Sequence, residues 1–236
     1  MNLVLLFADD FVSSDVVRLS GRRLDHVREI HRAAPGDSLF VGIEEGKVGR
    51  GTITSLDDRG LEMRVELTAP PPPPLPMTLV LALPRPKVLN RVIASAASLG
   101  LKRIYLINAW RVEKAYWSSP RLTPDNLRLQ SILGLEQARD TVLPQIETRR
   151  LFRPFVEDEL PAIASDSRRL VAHPHGDEPC PRAVAGPVTL VIGPEGGFID
   201  REIESLRGAG FTPVTLGARI LRVETAVAAL VGRIGE

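Results

Sequence analysis

Two short apolar runs near the C-terminus each predict a buried strand that ends in a tight loop. Residues 188–192, VTLVI, are followed by the glycine-rich stretch GPEGGF at 193–198. Residues 213–216, PVTL, are followed by the loop GARILRVET at 217–225 and then by a final apolar helix. Ligands of open α/β sheets bind at the carboxyl ends of the strands. We therefore expect both loops to line one site.

From residue 77 onward, apolar strands alternate with amphipathic helices. The run TLVLAL at 78–83 predicts a strand that is buried on both faces of a sheet. A helix beginning at about Lys87 keeps its apolar residues on one side, and Gly100 is typical of its end. Further strands are expected at 104–107 and 169–172. This alternation predicts an α/β domain with a mainly parallel sheet.

The first 69 residues have a different pattern. Leu24, Val27 and Ile30 lie at helical spacing and predict one short helix at 25–32. Short strand candidates follow at 38–41, 47–54 and 61–67. The last of these strands alternates apolar with charged residues, which is typical of a half-buried strand. Strands at this spacing predict a small β-barrel domain over 1–69.

The proline-rich stretch PPPPPLP at 70–76 separates these two patterns. Consecutive prolines adopt the polyproline II conformation and act as a semi-rigid spacer. We interpret 70–76 as a linker between a domain at 1–69 and a second domain at 77–236. A docking site for a proline-binding protein module is the alternative interpretation.

Composition restricts the partners of the chain more than it identifies them. The 236 residues carry a formal net charge of only +1, so a nucleic-acid partner must be argued from local basic clusters. Cys180 is the single cysteine, which excludes an intramolecular disulfide and a thiolate metal cluster. The first ten residues have no basic leader, and their apolar run is too short to span a membrane. We expect a cytoplasmic protein.

Each C-terminal loop has two interpretations when it is considered alone. The stretch 193–197 lacks the lysine and hydroxyl of a nucleotide-triphosphate loop, so it is either a ligand loop or a structural turn. In the second loop, Glu224 and Thr225 either cap the last helix beside solvated arginines or belong to a site. In a site, backbone amides and Leu221 would hold an adenine, while Arg222 and Glu224 would face the reacting group.

Three other groups are candidate binding residues. His173, His175 and Cys180 invite a metal interpretation, but no fourth ligand lies nearby in the sequence and we expect no metal. Aromatic residues at 110, 116 and 117 stand among basic residues, which suits either stacking on unpaired bases or burial at a domain contact. The densest basic cluster, at 18–32, is either a solvated helix face or a site of RNA phosphate contact.

The two loops together resemble a known family. The motifs LVIGPEGGF at 190–198 and LGARILRVETA at 216–226 are similar to those of the ribosomal RNA small subunit methyltransferase E family of the SPOUT superfamily. The stretch in which Gly36-Asp37 follows the predicted helix resembles the sequence of the PUA-like RNA-binding barrel of that family. SLG at 98–100 and Glu136-Gln137 with Pro144 stand where two further family motifs occur. The resemblance covers nearly the whole chain.

The resemblance implies an enzyme that methylates N3 of a uridine in 16S ribosomal RNA with S-adenosylmethionine. It also implies a deep trefoil knot in the C-terminal domain, and the assembled small ribosomal subunit as the expected substrate. Arg222 is then the candidate for stabilising the uridine anion, with Glu224 orienting Arg222; base action by Glu224 is the alternative. The candidate cofactor-binding residues are Ile192, Gly193, Pro194, Gly197, Leu216, Gly217, Ile220 and Leu221. The candidate RNA-binding residues are Arg22, Arg23, Arg28 and Arg32.

Departures from the family pattern support a rival hypothesis. Ser98 stands where the family usually has an acidic residue, and Ala138, Arg139 and Asp140 replace its usual Ser-Gly-Arg or Cys-Gly-Arg. A non-catalytic RNA-binding or ribosome-assembly protein that keeps the fold is therefore the alternative. We also expect a homodimer for two reasons. The final helix has more apolar surface than a terminal helix usually exposes, with Val227, Leu230, Val231 and Ile234. The resemblance also implies that part of the cofactor site lies beside a two-fold interface.

Overall fold

Two structural units share the chain, and their residues interleave along the sequence. The computed structural model describes residues 2–235, except for the side chain of residue 31. The first unit comprises Met1–Pro73 and Ile132–Leu143, and the second comprises Pro74–Ser131 and Pro144–Glu236. The sequence placed residues 132–143 inside the second domain. They lie with the first unit because Ile132 and Leu143 complete an apolar cluster with Leu3, Leu5 and Val48.

A curled five-stranded sheet forms most of the first unit. Its strands are β1 Val4–Leu6, β2 Val16–Leu19, β3 Ser38–Ile43, β4 Val48–Leu56 and β5 Leu61–Ala69. The spatial order is β1-β3-β4-β5-β2, with β1 parallel to β3 and every other pair antiparallel. Along β5, buried positions alternate with more exposed ones from Leu61 to Glu66, which confirms the predicted half-buried strand. Closure of this mixed sheet into a PUA-like barrel stays a prediction.

The predicted helix of the first unit begins earlier than expected and changes its pitch. α1 spans Arg22–His26 and continues as a π-helix over Val27–His31, and Arg32 ends it with a left-handed φ of 50°. Leu24 and Val27 are buried as predicted, but Ile30 is 66% exposed. The sequence was wrong about Ile30, because the wider turns of a π-helix move it off the face that an α-helix would share with Val27.

The second unit is built on seven parallel strands. They are β6 Met77–Ala82, β7 Arg103–Ile107, β8 Gln145–Arg149, β9 Arg168–Ala172, β10 Glu178–Pro179, β11 Val188–Ile192 and β12 Thr212–Thr215. The spatial order is β10-β12-β9-β11-β6-β7-β8, and each neighbouring pair is parallel. Every residue of β6 and β11 is buried, which confirms the prediction of strands covered on both faces. The predicted α/β domain with a parallel sheet is therefore confirmed.

The remaining helices lie, in chain order, between strands of the parallel sheet or after its last strand. In chain order they are α2 Pro86–Ser98, α3 Pro124–Ala138, α4 Phe152–Pro154, α5 Leu160–Ile163, α6 Asp200–Gly208 and α7 Val223–Gly235. α3 begins at Pro124, and its last residues, from Ile132, belong to the first unit. Residues 70–76 contain neither helix nor strand. Within residues 2–235, no helix is long and apolar enough to cross a membrane.

The apolar face of α7 is buried inside the second unit. The sequence predicted exposed apolar surface at Val227, Leu230, Val231 and Ile234, yet these residues are at most 2% exposed. They are buried because α7 packs against α2 and joins the core of the sheet. The apolar face of the final helix therefore gives no support to a homodimer, which stays a prediction.

Candidate active site

A pocket lies at the carboxyl edge of the parallel sheet, where β9, β11 and β12 end. Its volume is about 640 Å³. The loop after β11 and the loop after β12 both line it, together with His173 after β9 and residues of α2. The ten residues predicted for cofactor binding and catalysis all line this one pocket: Ile192, Gly193, Pro194, Gly197, Leu216, Gly217, Ile220, Leu221, Arg222 and Glu224. Both loops therefore line one pocket, as expected.

Close packing favours glycine at the start of the first loop. A Cβ on Gly193 would lie 3.1 Å from Cδ2 of Phe198 and 3.2 Å from its backbone nitrogen, and Phe198 is buried. Gly197 has a φ of +72°, a conformation that favours glycine, and its N–H donates to the carbonyl oxygen of Pro194 at 2.8 Å. The loop is thus a tight turn that presents backbone groups to the pocket.

Polar contacts outside the loop fix its position. The Glu195 carboxylate accepts a hydrogen bond from the backbone N–H of Arg85 at 2.9 Å, and Arg111 donates to the carbonyl oxygen of Gly196. Glu202, which is buried, accepts from the N–H of Ile199 at 3.0 Å and from the N–H of Trp110 at 2.7 Å. Sequence reasoning missed Arg85, Arg111 and Glu202, since only the folded chain brings their distant segments together.

The second loop leaves apolar side chains at the pocket rim. Gly217 has a φ of +115°, and its N–H donates to the Thr215 hydroxyl at 3.1 Å. Ile220 is 80% exposed and Leu221 is 37% exposed. Large apolar side chains at the mouth of a pocket are available to contact a ligand.

Glu224 has a different partner from the one that the sequence predicted. Its Oε1 accepts a hydrogen bond from Nη2 of Arg91 on α2 at 3.0 Å. The prediction that Glu224 orients Arg222 is therefore wrong as a contact, because the Glu224 carboxylate reaches across the pocket wall to α2. Arg222 is exposed and lines the same pocket. It directly precedes α7, and its carbonyl oxygen accepts a hydrogen bond from the N–H of Ala226 in the first turn of that helix, at 2.8 Å.

The loop after β9, which carries His173 and His175, contributes to one wall of the pocket. His173 lines the pocket, and its Nδ1 accepts the backbone N–H of His175 at 3.2 Å. Cys180 is buried, and burial raises the pKa of its thiol. In the part of the chain that the structure describes, no three His, Cys, Asp or Glu side chains form a group that could hold a metal.

The predicted RNA-binding arginines do not form one free cluster. Arg22 makes a bidentate ion pair with the buried Glu136, at 2.8 and 3.0 Å. Arg23 makes a bidentate pair with Asp10, at 2.6 Å for each contact, and also donates to the carbonyl oxygen of Leu5. Its side chain is only 14% exposed, so a phosphate contact by Arg23 is not supported. Arg28 pairs with the exposed Asp58 at 2.8 Å, and Arg32 is exposed.

The aromatic residues divide between the two interpretations. Trp110 is 78% exposed, in a position where a base can stack on it. Tyr116 and Trp117 are half-buried and pack against the core of the second unit. The indole N–H of Trp117 donates to Oδ1 of Asn108 at 3.0 Å.

The departures from the family pattern have structural roles in this chain. The Ser98 hydroxyl donates to the carbonyl oxygen of Ser95 at 2.8 Å within α2. Arg139 ends α3 with a φ of 59°, and its guanidinium lies 5.2 Å from the centroid of the Phe40 ring. Asp140 is buried and accepts the N–H groups of Thr141 and Val142 at 2.7 and 3.0 Å. These three residues therefore support local structure outside the pocket.

Comparison with known proteins agrees with this geometry. The chain is 28% identical over 235 residues to ribosomal RNA small subunit methyltransferase E of Treponema pallidum, covering 97% of this chain and 88% of that protein. A ribosomal RNA small subunit methyltransferase E from Neisseria gonorrhoeae, solved with S-adenosyl methionine, has the same fold, with a TM-score of 0.72 at 22% identity over 97% of this chain and 95% of that one. A methyltransferase from Legionella pneumophila, solved with bound SAM, has a TM-score of 0.74 at 23% identity over 98% and 95% of the two chains.

The match to a family covers most of the second unit and the linker before it. Residues 71–235 match the RNA methyltransferase domain family. This range includes both pocket loops and all seven strands of the parallel sheet. The resemblance on which the sequence prediction rested is thereby confirmed, and the chain belongs to the RNA methyltransferase domain family.

Proposed function

We propose that this protein transfers a methyl group from S-adenosylmethionine to N3 of one uridine in 16S ribosomal RNA. The observation that carries the proposal is the pocket in which both C-terminal loops meet beside Arg222. Membership of an RNA methyltransferase family supports RNA as the substrate class. The printed name of the Treponema pallidum relative supports ribosomal RNA of the small subunit.

The residues of the pocket fit S-adenosylmethionine. A volume of about 640 Å³ is within the range of small-molecule sites. Ile192 and Ile220 offer apolar surface for an adenine, and backbone groups of Gly193, Leu216 and Gly217 offer hydrogen bonds. When bound, the cofactor supplies a methyl group on a sulfonium, which is a strong electrophile. Its binding would therefore place the reactive group beside the two loops.

The chemistry of uridine defines what the protein side chains must do. The N3 proton takes part in base pairing, so the target base must be unpaired or extruded before it enters the pocket. Transfer then needs N3 aligned with the methyl group, loss of the N3 proton to solvent, and stabilisation of the negative charge that develops on the base. Arg222, exposed at the pocket, is our candidate for that stabilisation. We assign Glu224 to positioning, because Arg91 holds its carboxylate.

We include the finer architecture in the proposal. A trefoil knot in the second unit is proposed because the resemblance implies it. The first unit is proposed as a PUA-like RNA-binding barrel, with Arg28 and Arg32 as its phosphate contacts. A homodimer is proposed on the resemblance alone. A crystallographic trace tests the knot, and light scattering at micromolar concentration tests the dimer.

Two experiments test the proposed function. Titration calorimetry of the purified protein should show binding of S-adenosylmethionine, and absence of binding by folded protein would contradict the enzyme hypothesis. Mass spectrometry of 16S ribosomal RNA from a strain that lacks the protein should show the loss of one methyl group from a uridine. An unchanged methylation pattern would favour the non-catalytic RNA-binding alternative.

We expect assembled small subunits to be better substrates than naked 16S RNA, because an RNA site built from distant strands is rigid only after assembly.

A further inference from the structure

A second cavity lies along the same carboxyl edge of the parallel sheet, where β7 and β8 end. Its volume is about 1170 Å³. The segment after β7, the segment after β8 and the start of α6 line it. Among the described residues, none lines both this cavity and the pocket at β9, β11 and β12. We call this second cavity the β7–β8 groove. Its position at the carboxyl ends of parallel strands is where α/β sheets bind their ligands.

A fixed, exposed indole stands in the β7–β8 groove. The side chain of Trp110 is 78% exposed. Its backbone is held in place, because its N–H donates to Oε1 of the buried Glu202 at 2.7 Å. Tryptophan offers a large flat contact area with only two rotatable side-chain bonds, so it loses little conformational entropy when it binds. A single exposed indole on a fixed backbone is a stacking surface for a planar ligand.

Cationic side chains line the same groove as Trp110. The guanidinium of Arg150 lies 5.5 Å from the centroid of the Trp117 ring, and Lys114 and Arg201 are exposed in the groove. Of the groove carboxylates, Glu157 pairs with Arg153 at 2.8 Å and Glu202 accepts backbone N–H groups, while Glu204 is exposed. Aromatic surfaces interleaved with positive charge suit the bases and phosphates of unpaired nucleotides.

A hydrogen bond connects the segment after β7 to the first pocket loop. Arg111, the residue after Trp110, donates a hydrogen bond to the carbonyl oxygen of Gly196 in the first pocket loop. The segment that carries the exposed indole therefore also supports the loop that lines the pocket. A strand of RNA with one base in the pocket would have its neighbouring nucleotides along this edge of the sheet.

We propose that the β7–β8 groove binds an unpaired nucleotide that neighbours the methylated base. Its base stacks on Trp110, and the adjoining phosphates contact Lys114, Arg150 and Arg201. This inference rests on the proposed function for the identity of the ligand as RNA. It adds a second recognition site, so that selection of the target depends on an unpaired neighbour as well as on the base that reacts.

Tryptophan fluorescence tests the stacking directly. The chain has two tryptophans, so Trp117→Phe leaves Trp110 as the single emitter. Adding a short single-stranded oligouridylate should quench this emission, and an RNA duplex of the same length should quench it much less. Trp110→Ala should weaken oligouridylate binding by about tenfold or more, while Trp110→Phe should retain most of the affinity. Unquenched emission with bound oligouridylate would overturn the inference.

Charge variants test the phosphate contacts. Lys114→Ala and Arg201→Ala should each lower the slope of log affinity against log salt by about 0.7 for single-stranded RNA. The matched control is Arg168→Ala, an exposed arginine at the amino end of β9, which should leave the slope unchanged. A slope that falls equally in the control would also count against the groove.

The failure of this inference can be distinguished from the failure of the proposed function. If wild-type protein methylates small subunits and Trp110→Ala does so with an unchanged KM, the groove has no role and the enzyme hypothesis stands. If wild-type protein transfers no methyl group but oligouridylate quenches Trp110, the methyltransferase proposal is contradicted while the groove stands as an RNA site.

Discussion

Nη2 of Arg91 lies 3.0 Å from Oε1 of Glu224, and this ion pair joins α2 to the first turn of α7 at the wall of the pocket. The two side chains are 63% and 22% exposed, and ion pairs at such sites contribute little to stability, about 1 kcal/mol or less. The more important consequence is positional. Glu224 is two residues from Arg222, so the pair helps to fix the segment that carries our candidate for anion stabilisation.

Replacing Arg91 should therefore reduce catalysis more than stability. We expect Arg91→Ala to lower the methylation rate by about tenfold, because small displacements of aligned groups are costly in rate. Urea unfolding should show nearly wild-type stability, and Arg91→Lys should restore part of the rate. Arg168→Ala is the control for loss of an exposed arginine. A wild-type rate in Arg91→Ala would show that the ion pair has no positioning role.

Arg222 should matter for rate and not for binding. Removal of one charged group that stabilises a developing anion commonly costs about a hundredfold or more in rate. Arg222→Ala should lose this factor in kcat, while calorimetry with S-adenosylmethionine and RNA-binding assays give nearly wild-type affinities. An Arg222→Ala protein that methylates at the wild-type rate would overturn the assignment.

Arg23 and Arg32 should respond in opposite ways. Arg23→Ala leaves Asp10 without its bidentate partner in a mostly buried site, so the free energy of unfolding should fall by about 3 kcal/mol. Arg32→Ala, at an exposed position, should leave urea unfolding unchanged and weaken RNA binding with a smaller salt dependence. Equal stability losses in the two variants would contradict this division of roles.

Gly193 should tolerate no side chain. The Cβ of Gly193→Ala would lie 3.1 Å from the buried Phe198 ring, so the loop must shift, and S-adenosylmethionine binding should weaken with a stability loss of about 1 to 3 kcal/mol. Gly208→Ala at the end of α6 is the matched control. Its Cβ meets no atom within 4 Å, so it should be neutral or slightly stabilising. Wild-type cofactor affinity in Gly193→Ala would show that the loop is not tightly packed.

Cys180 should be unreactive in the folded protein. Burial raises the pKa of its thiol, with a smaller opposing effect from Arg233, so the reactive thiolate is scarce near neutral pH. The pKa of this thiol is therefore higher in the folded protein than in the unfolded chain. Its contribution to the stability of the folded state is present below the pKa of the unfolded chain and is lost as pH rises through the pKa of the folded protein. Iodoacetamide should label Cys180 slowly in native protein and quickly in urea. Rapid native labelling would contradict the burial.

Local patterns predicted much of the second unit. The largely apolar run of β11 and the alternation of strands with helices were sufficient to predict a parallel sheet. Because ligands bind at the carboxyl ends of such strands, both loops were then expected at one edge of the sheet. The predicted pocket residues lie together for that reason. Periodicity could not show that Val227 and Ile234 are buried in the core of their own unit, because an apolar face looks the same whether the chain itself or a partner covers it.

The sequence alone could not predict contacts between distant segments of the chain. Arg91 with Glu224 joins residues 133 positions apart, and Arg22 with Glu136 joins residues 114 positions apart. A basic cluster in the sequence at 18–32 therefore looked like a free RNA surface, although Arg18, Arg22, Arg23 and Arg28 are engaged in ion pairs with carboxylates of the same unit. Charge patterns along the chain predict a surface only where no folded partner neutralises them.

The central claim is most directly tested by methyl transfer in vitro. Purified protein, labelled S-adenosylmethionine and small ribosomal subunits from a strain lacking the protein should be incubated together, and the 16S RNA then mapped by mass spectrometry. The proposal predicts one added methyl group, at N3 of a single uridine, and a much slower reaction with Arg222→Ala. No transfer by folded, cofactor-binding protein, or transfer to a different atom, would contradict it.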